Sequence, residues 1–485
     1  MLHLRNWVNI RLRLRVITLL LLSAIIVMCG FGCDDGNGGS SSTSGSDIVL
    51  AESRFGTSGG FVDVNGDGIE DLVVGAPEAS GSPKKGAVLA YFGTAEGIST
   101  SASWDWKGEQ KGDNLGFSFA KLGDVDGDGI ADFAAGAIYA EGNAPLSGVV
   151  YVYQGGQNSP ELLVRLNGDQ AHDRFGYALA GGDLNADGTN DIIISALHAR
   201  GNAFQSGIVY VFFGGTEIAI TPTVALKGDH TNHGMGFSLD TGDINGDGIS
   251  DLFVGGGDSV LIYYGRGNFA EHFATASDPD VIISGKSATG GGHSGSGFGD
   301  YIAFIGDVND DGFGDVVIAN PNRTGPNVYD NIGSVYIFKG AADLPGEYYE
   351  NDPNYKLSKI NGDAAGDRFG STIAVIDDVN AGGKPDILIG APWATGGASN
   401  TTPVAGKIYL FYTESLLNNP GEDLGTSIAA KVYTGDTSNS EFSKALGACP
   451  AGKFFAGAPC LAGNSGMAYI YDIDDDDDCT EIGNY

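Results

Sequence analysis

The chain has 485 residues, with 79 glycines, 16 prolines and 42 % hydrophobic residues. That composition fits a packed, turn-rich fold and excludes wholesale disorder. It carries 61 acidic against 26 basic residues, a net charge of −35, which excludes nucleic acid and anionic membrane surfaces as partners because both reward basic patches. Where the acids sit decides between a generic acidic surface and carboxylates that face metal ions.

At the N-terminus, Arg5, Arg11, Arg13 and Arg15 precede an apolar run from Val16 to Met28. A basic region before a short apolar core predicts an export signal over residues 1–32. The run is short for a transmembrane span. Cys33 follows, then Asp34, Asp35 and a Gly/Ser stretch that makes 33–46 a flexible linker. A cysteine so placed resembles the lipid-attachment site of bacterial lipoproteins. Gly32 fits that pattern, whereas Phe31 and Gly30 depart from it. Lipid attachment at Cys33 is the leading reading and plain cleaved secretion the other. If Cys33 is lipidated, Cys29 leaves with the signal and Cys449, Cys460 and Cys479 remain. Export then makes a disulfide expected, either Cys449–Cys460 or one of these with Cys479.

From Asp47 to about residue 472 one pattern recurs. It opens on Phe-Gly, continues to an acidic loop, and ends in an apolar run closed by small residues. The openings are Phe55-Gly56, Leu115-Gly116, Phe175-Gly176, Met235-Gly236, Phe298-Gly299, Phe369-Gly370 and a worn Phe442-Ser443. The acidic loops begin at Asp63, Asp124, Asp183, Asp243, Asp307 and Asp378, roughly 60–70 residues apart. The closing triplet is Gly75-Ala76-Pro77, returning as Gly390-Ala391-Pro392 and Gly457-Ala458-Pro459. Each unit reads as four short strands. In the second they are roughly 116–123, 132–137, 148–153 and 161–166, and Val149–Tyr153 is rich in β-branched and aromatic residues. Seven four-stranded units repeated radially predict an all-β, seven-bladed β-propeller. The seventh unit reads as one strand short, so Asp47–Ala51 is expected to pair into the last blade and close the ring. Residues 473–485 are then an acidic tail.

These openings, loops and endings resemble FG-GAP repeats, the units of the integrin α-subunit propeller, in a form similar to bacterial proteins that consist of the propeller alone. The resemblance implies ligand contacts on one propeller face and calcium loops on the other. It also implies that the long connectors Ala270–Ser296 and Gly340–Asn354 are recognition loops.

The first loop places oxygen side chains at positions one, three, five and nine, namely Asp63, Asn65, Asp67 and Asp71, with Gly68 at the turn. Position seven, Ile69, offers its backbone carbonyl. Hard oxygens at that spacing suit Ca²⁺. The loop is similar to an EF-hand loop but ends at position nine and leads into a strand. Four more loops fit: Asp124, Asp126, Asp128, Ile130 and Asp132; Asp183, Asn185, Asp187, Thr189 and Asp191; Asp243, Asn245, Asp247, Ile249 and Asp251; Asp307, Asn309, Asp311, Phe313 and Asp315. Acidic turns without metal are the alternative. However, carboxylates about 5 Å apart repel by roughly 1–3 kcal/mol per pair, and five repetitions of the same set call for a cation. About five Ca²⁺ ions are expected. In the sixth loop Asp378, Asn380 and Asp386 remain, but Gly382 stands at position five and Lys384 at seven. That site is expected to be empty or weak, with the lysine offsetting its acids.

Other motifs are weaker. Gly290, Gly292 and Gly295 form G-x-G-x-x-G without the strand-to-helix setting of a dinucleotide site. Ser294 misses a hydrolase elbow because Ser296 replaces its second glycine. His230 and His233 read as a surface pair, and Trp104, Trp106 and Trp393 as blade packing. The sequence therefore predicts a calcium-binding module that recognises a protein at the cell surface and is not an enzyme. A carbohydrate-binding propeller is the alternative and a central-face hydrolase a third reading.

Overall fold

Asp71–Ala76, Asp132–Ala137, Asp191–Ala196, Asp251–Gly256, Asp315–Asn320 and Asp386–Ala391 each begin with an aspartate and run on apolar. Continuous rather than alternating hydrophobicity marks a strand covered on both faces. In the computed structural model every residue of these six strands is buried. The structure describes residues 53–483 apart from 80–84, 157, 231–233, 275–277, 286–296, 323–330, 395–404, 419–422, 436–440, 450–451, 461–465 and 474–478. The export signal, Cys33, the linker, Asp47–Ala51, His233 and the 290–295 glycines lie outside these residues.

Seven antiparallel sheets follow one another along the chain, each built as a four-stranded meander. In the second, Leu115–Gly123, Asp132–Ala137, Val149–Gln154 and Glu161–Asn167 lie side by side in sequence order, close to the strands expected. The first strands of successive sheets touch in turn, and the first strand of the seventh, Ala445–Cys449, meets that of the first, Ser58–Val62. The chain is a closed seven-bladed β-propeller.

The core is seven hydrophobic clusters, each shared by two neighbouring blades. Side-chain alternation divides each central strand between them. Leu72 and Val74 face the seventh blade with Phe455 and Ile470, while Val73 faces the second with Phe133 and Tyr151. Trp104 packs against Tyr153 at 5.2 Å in the latter interface, and Trp106 joins it, as expected. Trp393 does not pack this way: it is 41 % exposed, with the Arg368 guanidinium 5.3 Å over its ring.

The outer place of the seventh blade belongs to Cys479–Gly483, paired with Met467–Asp472. The expected tail thus supplies the missing strand. It escapes a pattern search because it follows the acidic run and carries one apolar residue, Ile482, which is fully buried. The ring closes through a parallel bridge between Phe55 and Gly466, the counterpart of the Gly86–Leu115 bridge between blades one and two.

Neither expected disulfide forms among the described residues. Cys449 and Cys460 are free and lie at opposite ends of the hairpin strand Lys453–Gly457. Cys449 and Cys479 sit on the first and fourth strands of their sheet, about 14 Å apart at ordinary strand spacing, beyond a disulfide's reach of about 7 Å between Cα atoms.

The connector Gly340–Asn354 is largely spent on structure. Its Glu347–Tyr349 adds a parallel fifth strand to Val281–Ser284 of the fourth blade, and Tyr348 is buried. Asp423–Gly425 straps the fifth blade in the same way. In the connector Ala270–Ser296, the short helix Phe269–Phe273 and the strand Val281–Ser284 are described.

Candidate metal centres

Each acidic loop joins the first and second strands of a blade, so all six lie at one end of the propeller and the Phe-Gly and Gly-Ala-Pro corners lie at the other. Position four takes left-handed backbone in every loop, with φ from +58° to +81°, and position six lies at +83° to +91°. The second requirement explains the constant glycine at Gly68, Gly129, Gly188, Gly248, Gly312 and Gly383.

In this turn the side chains at positions one, three and five gather inward. Asp63 Oδ1 accepts hydrogen bonds from the backbone N–H groups of Gly66 and Asp67, and its Oδ2 accepts one from Gly68. Asn65 Oδ1 accepts from Asp67 N, and Asp67 Oδ1 from Ile69 N. The loops at Asp183, Asp243 and Asp307 repeat this wrapping. In the second loop, carboxylate oxygens of Asp124, Asp126 and Asp128 lie within 4.8 Å of one another.

Position nine closes the set from the interior. Asp71, Asp132, Asp191, Asp251 and Asp315 are all fully buried. In each, one oxygen accepts from the N–H of position two and the other from the residue just past the blade's third strand. For Asp71 these donors are Val64 N at 3.1 Å and Gly93 N at 2.7 Å, and for Asp191 they are Leu184 N at 2.9 Å and Gly214 N at 3.1 Å. One carboxylate therefore ties three strands together. Burial pushes Asp71 up to about 6 and the other four up to about 7, with their two backbone bonds pulling the other way. A buried carboxylate raised in this way lacks countercharge, which a divalent cation beside it would supply. The donor set, all hard oxygen, fits Ca²⁺.

Position seven has a second role that the spacing does not reveal. Its side chain packs on position four of the loop before it in the ring. A methyl group at Gly66 would meet Ile130 at 3.1 Å, and one at Gly246 would meet Phe313 at 2.9 Å. Lys384 follows the same rule. Its Nζ reaches the fifth loop, at the Asp310 carboxylate and, at 3.3 Å, the Asp307 carbonyl. It does not offset its own loop's acids, contrary to expectation, because the ring geometry points position seven at the neighbouring blade.

At the opposite end, four half-buried rings from consecutive blades form an arc. Phe117 and Tyr177 are 5.5 Å apart, Tyr177 and Phe237 5.5 Å, and Phe237 and Tyr301 6.4 Å. Arg174 over Tyr139 and Arg368 over Trp393 lie on the same face.

The FG-GAP repeat model matches residues 55–91 and 175–212, the first three strands of blades one and three. The chain is 32 % identical over 232 residues to integrin alpha-5 of Xenopus laevis, covering 44 % of this chain and 21 % of that protein. It is 29 % identical over 243 residues to integrin alpha pat-2 of Caenorhabditis elegans, covering 47 % and 18 %. It is 27 % identical over 331 residues to the human phosphatidylinositol-glycan-specific phospholipase D, covering 61 % and 38 %. The chain thus spans about a fifth of each integrin and under two-fifths of the phospholipase. Repeats, relatives and seven blades agree: the chain is an FG-GAP β-propeller of the integrin α type.

Proposed function

We propose that the chain is an exported, calcium-loaded propeller that binds a protein partner at the cell surface and does so without catalysis. The observation that carries the calcium reading is the repeated wrapping of positions one, three and five around a buried, doubly bonded position nine. With dissociation constants of roughly 10⁻⁴–10⁻³ M, each ion adds about 0.4–1.4 kcal/mol at ~1 mM calcium. Five such ions together stabilise the ring by a few kcal/mol. Export and anchoring through Cys33 follow from the basic-then-apolar N-terminus. No described helix is long and apolar enough to cross a membrane.

The recognition face is the Phe-Gly end, where the aromatic arc, Arg174, Arg368 and the exposed Trp393 stand clear of the calcium loops. The two integrin α relatives named above support binding. The phospholipase's activity is that protein's own, and its match here covers 38 % of its length. A pull-down from the native cell surface, with and without chelator, tests the reading. A partner lost on chelation and on Trp393→Ala is the expected result, and hydrolysis of a lipid or glycan by the purified chain would overturn it.

A further inference from the structure

The sixth loop lacks an oxygen at position five, where Gly382 stands. Its turn is nonetheless that of the other five. Asp378 accepts from Gly382 N and Gly383 N, and Asn380 Oδ1 accepts from Gly382 N. The buried Asp386 accepts from Val379 N and Thr413 N. With Lys384 turned to the fifth loop, the amine expected to neutralise this site is elsewhere.

A carboxylate fills the gap. The third strand of this blade runs into the short helix Thr413–Leu417, where the corresponding turns of blades one to five carry glycine. Glu414 reaches back from that helix into the loop. Its Oε2 accepts from Asn380 Nδ2 at 3.1 Å. Its Oε1 is shut off from solvent and has no hydrogen-bond partner. That orphan oxygen lies only 1.9 Å from where a Cβ on Gly382 would be built. It takes the place of a position-five side chain.

We propose that the sixth loop is a further calcium site, formed by Asp378, Asn380, Asp386 and Glu414, with Glu414 supplying from the helix the oxygen that Gly382 cannot. The set offers three carboxylates and one amide, the same donor types as in the loops at Asp63, Asp183, Asp243 and Asp307. A third acid brought toward this loop repels Asp378 and Asp386 unless a cation sits between them. An unpaired, desolvated oxygen in that position points the same way. The inference rests on the calcium reading of the other five loops and extends it to a site the loop sequence alone rejects.

The test counts ions on the intact chain, by native mass spectrometry and by titration with calcium alone. Six ions are expected in the wild type and five in Glu414→Ala. The double variant Glu414→Ala/Gly382→Asp, which returns a carboxylate to position five, should recover the sixth ion. Gly382 lies outside left-handed backbone, so once Glu414 is gone the aspartate needs only a shift of the Asn380 side chain, whose Oδ1 lies 2.7 Å from the added Cβ. Circular dichroism of each variant verifies folding. Five ions in both wild type and Glu414→Ala overturn the sixth site and leave the other five standing. Six ions in both overturn the role of Glu414. A wild-type count of zero overturns the calcium reading itself.

Discussion

Gly116, at the opening of the second blade, lies so close to Gly75, at the corner of the first, that a methyl group on Gly75 would come within 2.1 Å of the Gly116 carbonyl oxygen. Ser58 Oγ donates to that same oxygen at 2.9 Å. The relation recurs at Gly136 and Gly176, with Ser118 donating, and at Gly255 and Gly299, with Ser238 donating. The Phe-Gly and Gly-Ala-Pro motifs are therefore two halves of one contact between adjacent blades. Gly75→Ala should destabilise the propeller by about 1–3 kcal/mol through overpacking against rigid backbone. Urea denaturation measures it. A loss below about 0.5 kcal/mol would mean the blades separate freely to make room.

Position nine and position five should separate structure from ion binding. Asp191→Asn leaves one of the N–H groups of Leu184 and Gly214 facing an amide NH₂ instead of an oxygen. That should cost about 1–3 kcal/mol with or without calcium. Asp187 is exposed. Asp187→Ala should leave stability in EGTA within about 0.5 kcal/mol of wild type while lowering the calcium-dependent gain. Paired melts in calcium and EGTA report both, and equal behaviour of the two variants would contradict this division.

Away from the acidic loops, burial and the neighbouring Asp258 push Asp300 up from 3.8 to about 7, against the opposing pull of Arg368. A carboxyl raised on folding takes up protons in the native state. Its contribution is full below about pH 4 and fades as pH rises through 7. Asp300→Asn, neutral throughout, should raise the denaturation midpoint at pH 8 relative to wild type, with little difference at pH 4. The opposite sign at pH 8 would mean that Arg368 dominates the site.

Lys384 is mostly covered but its partner Asp310 is 83 % exposed, and such pairs are worth little. Lys384→Ile, which restores the residue type found at this place in loops one, two and four, should change stability by less than about 1 kcal/mol. Thermal melts in saturating calcium check it. A larger loss would assign the ammonium a structural role in the fifth loop.

Cys449 and Cys460 should both be alkylated without reductant, as seen by mass spectrometry of the intact chain. Burial pushes the Cys449 thiol up to about 11, so its reaction should be slow at neutral pH and quicken with alkali. Protection of both that reductant abolishes would place a disulfide where the strand order forbids one.

Blade number, strand positions and the five acidic loops were legible because each is written several times over. A hairpin loop with oxygen at alternate positions announces itself wherever it recurs. What escaped the sequence is what depends on neighbours around the ring. Lys384 looked like the partner of Asp378 because the two are close in sequence, yet its side chain points to the preceding blade, as Ile130, Thr189 and Phe313 do at the same position. Glu414 is 32 residues from Gly382 in sequence; its signal is a non-glycine turn after the third strand in the one blade of the six with acidic loops whose loop lacks a position-five acid. Cys479–Gly483 was hidden because an outer strand covered on one side needs only a single apolar residue, Ile482.

The two parallel straps, Glu347–Tyr349 on blade four and Asp423–Gly425 on blade five, are each lent by the next blade along the chain. Blades four, five and six are thereby stitched by parallel strand pairings, which join no other two blades among the described residues. The circle is thus mechanically uneven. Under load or mild denaturant it should part at a plain seam, such as the one spanned by the Phe55–Gly466 bridge, and the stitched arc should be the last to surrender its amide protons to exchange.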